Sequence, residues 1–87
     1  MDMSSDAKLK QVAELMARMA EDTSVPRNIR RAAGEARDAL MKKEEGDPVV
    51  KAASARITME EISNDPNMPI HTRTMIWNAL SILETIR

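Results

Sequence analysis

One short helix-hairpin motif recurs in this chain, with an aspartate, a proline and an arginine in the same places. Asp22-Thr23-Ser24-Val25-Pro26-Arg27-Asn28-Ile29-Arg30 returns as Asp65-Pro66-Asn67-Met68-Pro69-Ile70-His71-Thr72-Arg73, a constant 43 residues further on. The same offset carries Ala36 onto Ala79 and Leu40 onto Leu83. A period of this length marks a duplicated helix-turn-helix unit, so the repeat constrains architecture more than any single residue does.

Four helices follow from the apolar spacing. Leu9, Val12, Met16 and Met19 fall three and four apart, which predicts a first helix from about Ser5 to Ala20. Asp22-Thr23-Ser24 break it. Ser24 is the expected N-cap of the second helix, with Pro26 in the first turn, where a missing N–H costs nothing. Its stripe is Ile29, Ala33, Ala36 and Leu40, and it is expected to end in Lys42-Lys43, charges that suit the negative end of a helix dipole. Glu44-Glu45-Gly46 reads as a linker. Asp47-Pro48 opens the third helix as N-cap and first residue, with Ala52, Ala55, Met59 and Ile62 as the stripe. Met68-Pro69 restarts the chain as a fourth helix expected to reach Ile86, centred on Thr72, Ile76, Ala79 and Leu83.

Each stripe maps onto its counterpart under the offset. One helical hairpin cannot bury its own apolar face, but two can cover each other. Short connections make sequential helices antiparallel neighbours. The expected fold is all-α: an up-and-down antiparallel four-helix bundle built from two duplicated hairpins. It forms a single domain over residues 1–87, with hairpin one at about 5–43 and hairpin two at about 48–87. The alternative, a two-repeat fragment of an open solenoid, is disfavoured because solenoids need about three repeats or polar caps.

Composition excludes several functions. Thirteen Lys and Arg against fourteen Asp and Glu leave a net charge of −1, which exerts no global pull on nucleic acid or an anionic membrane. The chain has no cysteine, hence no disulfide, thiol nucleophile or zinc-thiolate site. The acidic start, Met1-Asp2-Met3-Ser4-Ser5-Asp6, does not read as a signal peptide. No apolar run approaches the ~18 residues of a membrane helix. A cytoplasmic protein is therefore the expectation.

Val25-Pro26-Arg27-Asn28-Ile29-Arg30-Arg31-Ala32-Ala33 and Glu61-Ile62-Ser63-Asn64-Asp65-Pro66-Asn67-Met68-Pro69, followed by His71-Thr72-Arg73-Thr74 and Ile76-Trp77, resemble the signature stretches of archaeal uncharacterised protein family 0147. The resemblance runs from about Leu9 to Ile86. It implies a small, all-helical archaeal protein. It implies no activity and supplies no catalytic or binding residues.

The residues themselves offer two candidate surfaces. The fourth helix has a wide apolar arc, with Ile70, Trp77 and Leu80 on one flank and Met75, Ile82 and Ile86 on the other. The third adds Val50, Ala53 and Ile57 beyond its stripe. Either the fourth helix is the most central element, or part of it meets a second subunit. In the second case Ile57, Ile70, Trp77 and Leu80 are the candidate interface of a homodimer. Trp77, the only aromatic residue, is its expected anchor.

The other surface is basic. Arg27, Arg30, Arg31 and Arg37 share a face of the second helix. Arg27, Arg30, Arg31 and Arg73 are candidate contacts for an anion or a nucleic acid. Glu35 and Asp38 on the same helix, and the lack of further stacking aromatics, speak against nucleic acid. The favoured reading of Arg30 and Arg73 is structural, pairing Asp22 with Arg30 and Asp65 with Arg73 across each turn, an exposed contact of about 0–1 kcal/mol, with the anion site as its functional alternative.

His71, the one histidine, reads as a surface residue or a local hydrogen-bond partner beside Asp65 and Arg73. Glu60, Glu61 and Asp65 could be imagined around Mg²⁺ or Ca²⁺, but no calcium-loop pattern is present, and neither a metal nor a cofactor is expected. Glu61 or Asp65 with His71 is the only acid–base combination, in a domain with little room for a pocket, so an enzyme is not expected. Gly34 in mid-helix is read as permitting a close approach by another helix or a partner. The expected function is a structural or protein-interaction domain that self-associates through its fourth helix. The alternative is a nucleic-acid or ribonucleoprotein accessory factor using the second helix.

Overall fold

The computed structural model describes residues 4–42 and 46–86. They form four helices and no strand: α1 (Ser5–Glu21), α2 (Arg27–Met41), α3 (Pro48–Ser63) and α4 (Ile70–Glu84). The described helices span 33 × 26 × 18 Å.

Two helices begin on a side-chain cap. The Ser4 hydroxyl accepts the Ala7 N–H at 3.2 Å, and Asp47 accepts the Val49 N–H at 3.0 Å with Pro48 following. Such caps satisfy amides that the helix itself cannot pair.

The other two helices depart from the expected start. Ser24 does not cap α2, because Asp22 has captured it: Oδ1 of Asp22 accepts the Ser24 N–H at 2.9 Å and its hydroxyl at 2.6 Å. Pro26 takes the cap position instead, with φ −55° and ψ 149°, so the helix starts two residues later than a Ser24 cap would have set it. Pro69 does the same for α4, with φ −61° and ψ 153°. A fixed proline φ suits this entry, and each proline carbonyl accepts the amides three and four residues on, Ile29 and Arg30 or Thr72 and Arg73.

The helix ends are also shorter than expected. α2 closes at Met41, with Lys42 already extended, while Lys43 and the Glu44-Glu45 linker lie outside the described residues. α4 stops at Glu84 rather than Ile86. The Thr85 hydroxyl folds back onto the Ile82 carbonyl at 2.6 Å, a local bond that competes with helix continuation.

All the expected stripe residues are buried except Ile62, which is partly buried against the core. Met16, Ile29, Met59, Ile76 and Leu83 are fully buried, each worth about 1.5–3 kcal/mol of burial. Val25 and Met68, in equivalent places before the two prolines, close the same core. α1 packs on all three other helices, α2 also on α3, and α3 also on α4, so α1–α2–α3–α4 make a closed circuit. α1 and α3 thus each touch all three other helices, and α4, which touches only those two, is not the most central element. The α1–α2 pairing is the most extensive.

Candidate functional site

The two inter-helix turns have the same internal wiring. Asp65 Oδ1 accepts the Asn67 N–H at 2.8 Å, as Asp22 Oδ1 accepts that of Ser24, and the Val25 and Met68 amides return to the Asp22 and Asp65 carbonyls at 3.1 and 3.2 Å. The second carboxylate oxygen of each aspartate reaches across to the other turn's helix. Asp22 Oδ2 lies 2.9 Å from His71 Nε2 on α4, and Asp65 Oδ2 accepts from Asn28 Nδ2 at 2.8 Å on α2. Asn28 and His71 are equivalent under the 43-residue offset, so each turn holds the first helical residues of the opposite half.

This exchange replaces the expected aspartate–arginine pairs. Arg73 donates to the Ser63 carbonyl at 2.5 Å and to that of Asp65 at 3.2 Å, closing the C-terminal end of α3. Arg30 makes no corresponding bond; its Nε is buried without a partner. His71 likewise pairs with Asp22, not with neighbours in its own half. The signal for the exchange was present in the sequence as the coincidence of Asn28 with His71 under the offset. Reading it required knowing that the halves face each other.

The hydrogen bonds set the aspartate charges. The Ser24 hydroxyl, then His71, hold the Asp22 carboxyl well below its ordinary 3.8, at about 2. Asn28 and the Asn67 amide lower Asp65 in the same direction. Donors to a carboxylate favour its ionised form.

Of the basic candidates, Arg27, Arg30 and Arg31 line one surface hollow of about 400 Å³ with Ala20. Arg73, on α4, does not line this hollow; its guanidinium reaches the carbonyls at the end of α3. Arg37 is bound to Asp38 at 3.1 Å and lines a different groove with Lys10, Ala13, Glu14, Ala17 and Met41. Of the apolar candidates, Ile57, Ile70 and Trp77 are 60, 85 and 58% exposed, and Leu80 is partly buried against the core. Val50, at 62%, joins the exposed set. Gly34 does not mark a close approach: a Cβ there would meet Arg37 Nη2 at 3.8 Å and the Ala20 Cβ at 4.0 Å, ordinary contacts.

Among the described residues no three histidine, aspartate or glutamate side chains are grouped to hold a metal. No described helix is long and apolar enough to cross a membrane.

The chain is similar throughout to proteins of known sequence and structure. It is 51% identical over 83 residues to UPF0147 protein PH1921.2 of Pyrococcus horikoshii, covering 94% of this chain and 88% of that one. It is 53% identical over 85 residues to a UPF0147 protein of Metallosphaera sedula, covering 95% and 92%. The crystal structure of the unknown-function protein MMP1188 superposes with a TM-score of 0.91 at 47% identity, over 100% of this chain and 98% of the other. The crystal structure of a protein from the uncharacterised family UPF0147 of Thermoplasma acidophilum gives 0.84 at 30% identity, over 95% and 98%. The family profile matches residues 1–86, and the chain belongs to the uncharacterised protein family UPF0147.

Proposed function

We propose that this chain is a non-enzymatic interaction domain that pairs with a second copy of itself through the outer face of α3 and α4. We also propose that its fold is an up-and-down four-helix bundle of two duplicated hairpins. The duplication reading rests on α2 and α4, which begin and end 43 residues apart, and on the matched turn wiring.

The observation that carries the interface is the exposure of Trp77 together with Ile57, Ile70 and Val50. Ile70 and Trp77 stand seven residues apart on one side of α4, and Val50 and Ile57 do so on α3. Two turns separate such residues, so they share a flank. In the first half, Glu14 and Arg37 line one groove between α1 and α2. Their counterparts under the offset are Ile57 and Leu80, apolar residues on α3 and α4.

A second copy is the favoured occupant because the face offers apolar surface rather than a charge pattern to be complemented. A two-fold axis would set Trp77 of one copy against the same apolar flank of the other. The non-catalytic reading goes with a core in which Met16, Met59, Ile76 and Leu83 are fully buried among the described residues.

Sedimentation equilibrium tests the reading. The wild-type chain is expected to dimerise, and Trp77→Ala with Ile57→Ala to weaken the dimer more than about tenfold at unchanged helicity. A wild-type chain that stays monomeric at ~100 µM, a concentration well above that at which micromolar complexes form, overturns it.

A further inference from the structure

Arg27, Arg30 and Arg31 stand on the first two turns of α2, three and four residues apart, so their guanidinium groups share one side of the helix. None of the three has a carboxylate partner among the described residues, whereas Arg37 is bound to Asp38 and Arg73 to two helix-end carbonyls. The contrast with Arg73 is sharpest at Arg30. It occupies the same position in its half, yet its Nε is buried and unpaired.

Three like charges around one hollow repel one another, and a buried donor without an acceptor is unfavourable. The hollow of about 400 Å³ that these side chains line with Ala20 is open to solvent and large enough for more than an inorganic ion. The start of α2 adds to the positive potential, since Pro26 supplies no side-chain acceptor to its free amides. A planar guanidinium fork matches the oxygens of a phosphate group and can bind it through two parallel hydrogen bonds.

We propose that Arg27, Arg30 and Arg31 form a binding site for the phosphate end of a small phosphorylated ligand. The overall charge of −1 favours a compact phosphate monoester over an extended polyanion, which would need a longer basic track. The site is separate from the α3–α4 face and does not depend on self-association.

Titration with inorganic phosphate and with pyrophosphate, followed by amide NMR at low salt, tests this. Saturable shifts are expected at Ala20 and Arg27–Arg31, with pyrophosphate the tighter probe. Arg30→Gln is expected to weaken binding about tenfold or more, the loss of one charge-assisted contact. The exposed pair Arg27→Gln and Arg31→Gln gives the same readout if the Arg30 variant fails to fold, and Arg56→Gln on α3 leaves binding unchanged. Non-saturating or scattered shifts overturn the proposal. So does equal binding by the Arg27→Gln, Arg31→Gln variant. Tight binding of a single-stranded RNA at the same arginines, with no response to either phosphate probe, overturns it in favour of nucleic acid.

Discussion

On α1 and α2 the outward positions hold Glu14, Arg27 and Gly34; 43 residues later, on α3 and α4, they hold Ile57, Ile70 and Trp77. The inward positions behave oppositely. Leu40 and Leu83, Met16 and Met59, and Val25 and Met68 are buried pair by pair. At these pairs the chain is alike where helices meet and unlike where it faces solvent, although the buried Ala13 gives way to the exposed Arg56 at the same offset. Packing explains the first, because a filled core tolerates little change in volume. The second has no such constraint, so a change of outer surface can create a contact face without disturbing the fold.

If the inner positions are equivalent, removing either leucine should be equally damaging. Leu40→Ala and Leu83→Ala are each expected to cost about 2–5 kcal/mol in denaturant unfolding. A large cost at one and a small cost at the other would break the equivalence.

Thr72 and Ile29 sharpen it. They occupy matching buried positions, but the Thr72 hydroxyl has no partner. Thr72→Val should therefore raise stability by about 1 kcal/mol, read as a higher denaturation midpoint, because it removes an unpaired buried hydroxyl at nearly constant shape.

Gly34 and Trp77 are the most unequal pair. Since a Cβ at Gly34 meets only ordinary contacts, Gly34→Ala is expected to stabilise by up to about 1 kcal/mol through helix propensity alone. A fall in melting temperature would restore a packing role for the glycine.

The smallest effect concerns the turns. Folding lowers the Asp22 pKa from 3.8 to about 2, so the ionised carboxylate stabilises the fold above about pH 4. That contribution is lost as pH falls toward 2. Wild type and Asp22→Ala should differ in melting temperature at neutral pH and converge in strong acid. A difference independent of pH would mean that Asp22 acts through packing rather than charge.

The helices and their buried stripes were legible in the sequence because apolar spacing and the 43-residue offset report the same thing. The entries to α2 and α4 were not. Ser24 is a good N-cap by residue type, but Asp22 competes for its amide and hydroxyl and wins at two residues' separation. The links from Asp22 to His71 and from Asp65 to Asn28 were hidden for a different reason. They join residues 49 and 37 positions apart, and local spacing carries no information on which helices face each other. The arginine hollow was half legible: Arg27, Arg30 and Arg31 share a face by period, while the diversion of Arg73 to backbone carbonyls depends on where α3 ends.

Trp77 is the only aromatic residue in the chain, so its fluorescence reports on the proposed contact face with no background. Emission measured across a dilution series of the wild-type protein tests the central claim directly. Self-association through α3 and α4 predicts a blue shift as concentration rises, abolished by Ile57→Ala with Ile70→Ala. Emission of a water-exposed indole, unchanged from the lowest concentration to the highest, would contradict it.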